Sequence, residues 1–114
     1  MNIRDSMYTA LKGAGQAVFL PGQFDGLCKA PFVVVSDGGT VPTGKTTGIK
    51  RFLVTGYVPI GRLTDLRALL ASSQAALRAV PAARTTGEIS HEEIDEDRAA
   101  HFASMEYAAL CSLR

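Results

Sequence analysis

The sequence lacks the features that define membrane, secreted and metal-binding proteins. No run of about 18 apolar residues occurs, which excludes a membrane-spanning helix. The first six residues, MNIRDS, contain no apolar segment of the signal-peptide kind, so we expect no secretory signal. The two cysteines, Cys28 and Cys111, have no C-x-x-C spacing. We therefore expect neither a zinc site nor a disulfide framework, and a reducing compartment is the simplest assumption.

The chain also has no large net charge, but its basic and acidic residues are unevenly distributed along the sequence. The chain has 12 Lys and Arg against 11 Asp and Glu. Residues 1–84 hold ten bases and four acids, whereas residues 85–114 hold two bases and seven acids. The bases form no stripe on a predicted helix, so duplex DNA binding is not favoured. A local acidic cluster is typical of a solvated loop, but opposite charges on two surfaces also suit copies that dock on each other or on a partner.

Composition and periodicity predict one α+β domain over residues 1–114. Hydrophobic residues make up 46% of the 114 residues, enough for a modest core. Six elements are predicted in the order α-β-β-α-β-β: helix 3–13, strand 31–36, strand 49–58, helix 64–80 with Thr64 as its N-cap, strand 83–89, and a strand from 101 onward. Alanine-rich composition leaves a helix as the alternative for residues 98–113. The predicted fold is a four-stranded antiparallel sheet packed against one long and one short helix.

Residues 39–46, G-T-V-P-T-G-K-T, match the phosphate-binding pattern G-x-x-x-x-G-K-[ST]. A true P-loop must open a helix, because backbone N–H groups at a helix N-terminus cradle the phosphate. The residues that follow are rich in threonine, glycine and β-branched side chains, which favour a strand. We therefore predict a hairpin with a long tip at 37–48 and a solvated Lys45. Nucleotide binding through Gly39–Thr46 is a remote alternative.

No other pattern indicates catalysis. His91 and His101 have no convincing metal-ligand spacing, and Ser90-His91 does not belong to a nucleophile motif such as G-x-S-x-G. The carboxylates Asp95 and Asp97 have no second centre that would support hydrolysis. We expect no enzyme activity, no cofactor and no metal.

The order of elements and several short motifs resemble a known family. These motifs are the P-F-V-V-V strand, Thr86-Gly87-Glu88-Ile89, the acidic turn with Asp95-Glu96, and Ser104-Met105-Glu106-Tyr107. Over most of its length the chain resembles the tail terminator (tail completion) proteins of long-tailed bacteriophages, which belong to the head–tail connector group.

The resemblance implies a virion structural protein, assembled in the host cytoplasm and located in the tail at the head–tail interface. Six copies would form a ring on the tail tube protein and stop tube polymerisation. The ring would present a surface to the head-side connector or stopper protein. DNA would pass through the lumen without sequence-specific binding, and no membrane would be involved. The family has no catalytic residues.

The resemblance also gives the charged residues provisional roles in contacts between subunits or with the tail tube. Lys45, with Lys50 and Arg51, would project with the hairpin tip toward the tube, a neighbouring copy or the DNA channel. An acidic segment would pair with a neighbour's bases such as Arg62 or Arg67; it comprises Glu92, Glu93, Asp95, Glu96 and Asp97. Apolar contacts would be needed as well, for which Phe24, Phe102 and Tyr107 are candidates. The alternative is another small connector or neck protein, or an unrelated α+β oligomeric binding module.

Overall fold

A computed structural model describes residues 2–24 and 26–112 of the chain. It contains two helices and six strands over this part of the sequence. In chain order they are α1 (Ile3–Gly13), β1 (Val18–Phe19), β2 (Phe32–Pro42), β3 (Thr47–Pro59), α2 (Leu63–Leu77), β4 (Arg84–Ile89), β5 (Glu93–Asp95) and β6 (Ala100–Ser112).

The strands form one mixed sheet in the order β1-β2-β3-β6-β4, and β5 also pairs with β6. β1 runs parallel to β2, and the remaining pairs are antiparallel. The predicted α+β class is confirmed, but the prediction of four antiparallel strands is wrong. It missed β1 and β5, which have two and three residues, because such short strands carry no readable alternation of side chains.

The C-terminal segment is a strand, as predicted, and not the helix of the alternative interpretation. β6 pairs with β3 along its whole length, from Pro59 opposite Ala100 to Thr47 opposite Ser112. Its alternate residues Ala103, Met105, Tyr107 and Ala109 are buried, so tertiary pairing overrides the helical preference of the alanines. Residue 113, the last of the predicted range, lies outside the described residues.

Both predicted helices are present, but the longer one has different ends. α1 spans the predicted residues, and Asn2 caps it by accepting a hydrogen bond from the Asp5 amide. α2 begins at Leu63, so the prediction of Thr64 as N-cap is wrong. Arg62 occupies that position, and its Nε lies 2.7 Å from Asp65 Oδ2. α2 ends at Leu77, followed by a tighter turn in which the Val80 amide donates to the Leu77 carbonyl.

Both helices pack on the same face of the sheet. The strand residues on this face alternate along β2, β3 and β6, and they join the helical side chains in one buried cluster. Its best-buried members include Met7, Leu11, Val33, Val35, Phe52, Val54, Leu66, Leu77 and Met105. On this face Gly56 lies directly under α2, where an added Cβ would require the side chains of Leu69 and Leu70 to shift.

The hairpin is longer, and its turn shorter, than the sequence indicates. The segment 37–48 reads as an irregular tip because of its glycines, yet β2 continues to Pro42 and β3 begins at Thr47. A bulge between Asp37 and Gly39 absorbs the extra residue, and Gly39 takes a φ of 95°, which favours glycine. Only residues 43–46 form the turn.

The close approach of α2 to Gly56 makes this position intolerant of a branched side chain. A Cβ there would lie 3.1 Å from Leu69 Cδ2 and 3.2 Å from Leu70 Cδ2. We expect Gly56→Val to lower the free energy of unfolding by about 1–3 kcal/mol, measured by urea denaturation. Gly13→Ala is the control, because nothing lies within 4 Å of that Cβ and the change should be neutral or stabilising. Equal stability of the two variants would contradict this packing.

Candidate functional site

The segment that matches the phosphate-binding pattern closes a β-hairpin. The amides of Thr43 and Gly44 both donate to the Thr47 carbonyl, at 3.1 and 3.3 Å. In a P-loop these N–H groups would point at the phosphate from the start of a helix. Here both N–H groups donate to a carbonyl of the hairpin itself, and the next element is the strand β3. The geometry of a nucleotide cradle is therefore absent from residues 39–46.

The predicted basic residues lie at this hairpin end of the sheet, on different faces. Lys50 Nζ lies 5.6 Å from the centre of the Phe52 ring and 3.9 Å from Asp37 Oδ1. Arg51 points to the opposite face and is exposed. Lys45 is exposed on the turn itself, so the end is positively charged on several sides.

Arg84 is a basic residue of this end that the sequence analysis missed. Arg51 on β3 and Arg84 on β4 are both register partners of Ala108 on β6, from its two sides. Both arginines are exposed. The two arginines are 33 residues apart in sequence, so a local pattern of residues does not indicate that they are neighbours. Their proximity follows from the strand order β3-β6-β4. The face of the sheet that carries no helix therefore has two guanidinium groups near the hairpin end.

The acidic segment lies at the other end of the sheet and is partly neutralised within the chain. Asp95 Oδ1 accepts a hydrogen bond from the Arg98 amide at 3.2 Å, and Asp95 Oδ2 lies 3.1 Å from Arg98 Nη1. Glu93 Oε1 lies 3.2 Å from His91 Nε2. Glu96 and Asp97 are exposed on the following turn, and their carboxylates have no ion-pair partner within residues 2–24 and 26–112. They leave free negative charge at this end.

The two arginines expected to meet a neighbour's acids already have carboxylate partners in their own chain. Arg62 is paired with Asp65, as described above. Arg67 Nε lies 3.5 Å from Glu92 Oε1, and a hydrogen bond from its own backbone amide together with Arg67 lowers the pKa of the Glu92 carboxyl. This last pair connects α2 to the residue that precedes β5, although the Arg67 side chain is still 83% exposed.

The exposed basic residues and the acidic segment are separated along the ladder between β3 and β6. The ladder between β3 and β6 runs from Thr47 and Ser112 at the hairpin end to Pro59 and Ala100, beside Asp95. At about 3.3 Å per residue, this ladder is about 40 Å long. The molecule measures 47 × 26 × 25 Å, so Lys45 and the acidic segment lie toward opposite ends of its long axis. Arg51 and Arg84 are level with Ala108 and are therefore about 26 Å from Ala100.

The aromatic residues considered for contacts with a partner have structural roles in this chain. Tyr107 is buried in the core. Phe24 stacks on Phe32 at 4.2 Å between ring centres, Phe32 on Tyr57 at 4.7 Å, and Tyr57 on Phe102 at 5.4 Å. This aromatic cluster packs the connection after β1 against the helix-free face. Burial in the cluster raises the pKa of the Tyr57 hydroxyl.

Comparisons with known proteins do not identify a function for this arrangement. A scan against protein-family models gave no match, and no curated protein showed significant similarity. Among the described residues, no group of three or more His, Cys, Asp or Glu side chains is arranged to hold a metal ion. In the same part of the chain, no helix is long and apolar enough to cross a membrane.

The hairpin geometry predicts that Lys45 does not form a nucleotide site. We expect isothermal titration with Mg-ATP and Mg-GTP to give no saturable binding in the millimolar range. Lys45→Ala should be indistinguishable from the parent chain. Saturable, magnesium-dependent binding that Lys45→Ala abolishes would contradict this interpretation.

The two cysteines are predicted to differ in reactivity. Cys28 is buried with its Sγ 3.3 Å from the Ala30 carbonyl oxygen, and burial raises the pKa of its thiol. Because thiolate is the reactive form, we expect Cys28 to react with a chromogenic disulfide at pH 8 at least about tenfold more slowly than the partly exposed Cys111.

Cys111→Ser should remove the fast phase of this reaction and leave the slow one. Since the Cys28 pKa is raised in the folded chain, its contribution to stability is complete below the usual thiol pKa and decreases as the pH rises above it. Equal rates for the two thiols would show that Cys28 is not protected by the fold.

Proposed function

We propose that this chain is a structural subunit of the bacteriophage tail, a tail terminator that forms a ring on the end of the tail tube. The ring consists of six copies, stops tube polymerisation and receives the head-side connector or stopper protein. DNA passes through its lumen without sequence-specific contacts. The proposal begins from the resemblance of the element order and motifs, and it is supported by one feature of the structure.

This feature is the separation of opposite charges at the two ends of an elongated sheet. In a head-to-tail contact, one surface of a copy meets a different surface of the next copy. Such contacts close into a ring when the rotation between successive copies returns to the first copy. The exposed bases Lys45, Arg51 and Arg84 at one end complement the exposed acids Glu96 and Asp97 at the other. Complementary charge also accelerates the encounter of copies and selects their orientation.

The hairpin is the element best suited to reach beyond the subunit. Its strands extend to a four-residue turn carrying Lys45, and its outer strand β2 is covered by β1 only at Val33 and Val34. The remaining edge of β2 carries a bulge and ends in Pro42, two features that oppose uncontrolled edge-to-edge pairing. In our proposal the hairpin meets the tail tube or a neighbouring copy through its side chains.

The proposal is tested by the length of tail tubes assembled with and without this chain. We expect purified tail tube protein of the same phage to polymerise without limit alone, and to stop growing when the chain is added in slight excess. Negative-stain images should show a ring at one end of each capped tube.

Native mass spectrometry of the chain over a concentration series provides the second measurement. A species near six times the chain mass of 12.1 kDa is expected. A stable oligomer of another order, with no effect on tube growth, would overturn the terminator function and favour another connector protein. Tubes that grow unchanged in the presence of the chain would refute the proposal whatever the oligomer.

A further inference from the structure

Two groups of exposed apolar side chains lie at the same two ends as the charges. At the hairpin end, Val41, Ile49 and Leu110 are register partners across β2, β3 and β6. Val41 is exposed, Ile49 is partly exposed, and Leu110 is 80% exposed. We name these three side chains the hairpin-end row.

The hairpin-end row lies directly beside the two exposed arginines. Ile49 is two residues from Arg51 on β3, and Leu110 is two residues from Ala108 on β6. Because side chains alternate between faces with a period of two, the row and the guanidinium groups of Arg51 and Arg84 occupy the same face. The row is therefore an apolar strip with a basic border.

At the acidic end, Ile60, Leu63 and Ile94 are exposed, and we name them the acidic-end group. The Ile60 amide donates to the Ala99 carbonyl, and Ile94 pairs with His101, so these two residues flank the start of β6. Leu63 precedes Arg67 by one helical turn, and Arg67 contacts Glu92, two residues before Ile94. The border of this group contains the ion pairs of Arg62 with Asp65 and of Arg67 with Glu92. The additional exposed carboxylates Glu93, Glu96 and Asp97 make it acidic in sum.

We infer that the hairpin-end row of one copy packs against the acidic-end group of the next copy. Each end has an apolar centre with a charged border, the usual composition of a protein interface, and the borders have opposite sign. This complementarity identifies a second copy of the chain as the occupant of both surfaces. The inference rests on the proposed oligomer and names the apolar side chains that hold it together.

The charged borders alone do not account for a stable contact. Exposed ion pairs contribute little and are screened by salt, whereas a few central apolar side chains dominate the affinity of most interfaces. Leu110 is the most exposed large apolar residue among those described, and it lies on a strand that is paired with β3 along its whole length. We expect it to be the main anchor of the contact.

The test uses one variant for each end and a third as control. Leu110→Ser alters the hairpin end, and Ile94→Ser alters the acidic end, where Ile94 is 58% exposed. Ile89→Ser is the matched control, because Ile89 is 52% exposed but lies on the edge strand β4 opposite Met105, outside both the hairpin-end row and the acidic-end group. Thermal unfolding should show that all three variants remain folded, with melting temperatures close to that of the parent.

Sedimentation and native mass spectrometry then report the association of each variant. Leu110→Ser and Ile94→Ser should each weaken self-association by at least about tenfold, whereas Ile89→Ser should associate like the parent. A mixture of Leu110→Ser and Ile94→Ser should form a dimer with one copy of each. Only one intact junction is possible in that mixture, between the acidic end of the first variant and the hairpin end of the second.

The other outcomes overturn the inference and are distinct from a failure of the proposed function. If both variants keep the parent oligomer, the interface is elsewhere, although the chain can still cap tubes. If only Leu110→Ser is impaired and mixing restores nothing, the hairpins contact each other symmetrically, or a foreign partner binds there. A parent chain that is monomeric at all concentrations also refutes this interface. Conversely, the variants could associate as expected while tubes still grow without limit in the presence of the parent chain. That result would refute the terminator function alone.

Discussion

The antiparallel ladder between β3 and β6 is the feature on which the rest of the structure depends. It pairs residues from Thr47 to Pro59 with residues from Ser112 to Ala100 without a break. Because side chains alternate strictly along a strand, this register places Phe52, Val54 and Met105 on one face together. A shift of one residue between the two strands would put Met105 on the face opposite to Phe52 and Val54, so that one of the two sets would lose its contact with the helices. The helices can therefore cover the sheet only in this register.

The same ladder determines the shape of the molecule and the distribution of its charge. Long strands held side by side make an elongated body, and the chain enters and leaves β6 at opposite ends. The acidic turn precedes β6, while the turn carrying Lys45 precedes β3, which runs in the other direction. A modest separation of charge along the sequence thus becomes a separation in space of about 26 Å for Arg51 and Arg84 and about 40 Å for the turn that carries Lys45. This polarity is the physical basis of the proposed head-to-tail contact.

The proposed interface leaves the best-packed parts of the molecule out of the contact. The aromatic cluster and the core under α2 are occupied by the chain's own side chains, including the three aromatic residues that looked available from sequence. Exposed aliphatic residues at the ends of strands and at the start of α2 take their place. Such residues cost the folded monomer little and can be buried when copies associate. The fold and the association would then depend on separate sets of side chains.

The sequence by itself determined the α+β class, both helices and the long strands, because their apolar residues repeat with clear periods. It also predicted that a strand and not a helix follows Gly39–Thr46, since the residues after this segment disfavour a helix. Tertiary structure decided the rest. The strands β1 and β5 exist only because a longer strand is available to pair with. The neighbourhood of Arg51 and Arg84, and of Val41 and Leu110, depends on the strand order, which a local pattern of residues does not encode.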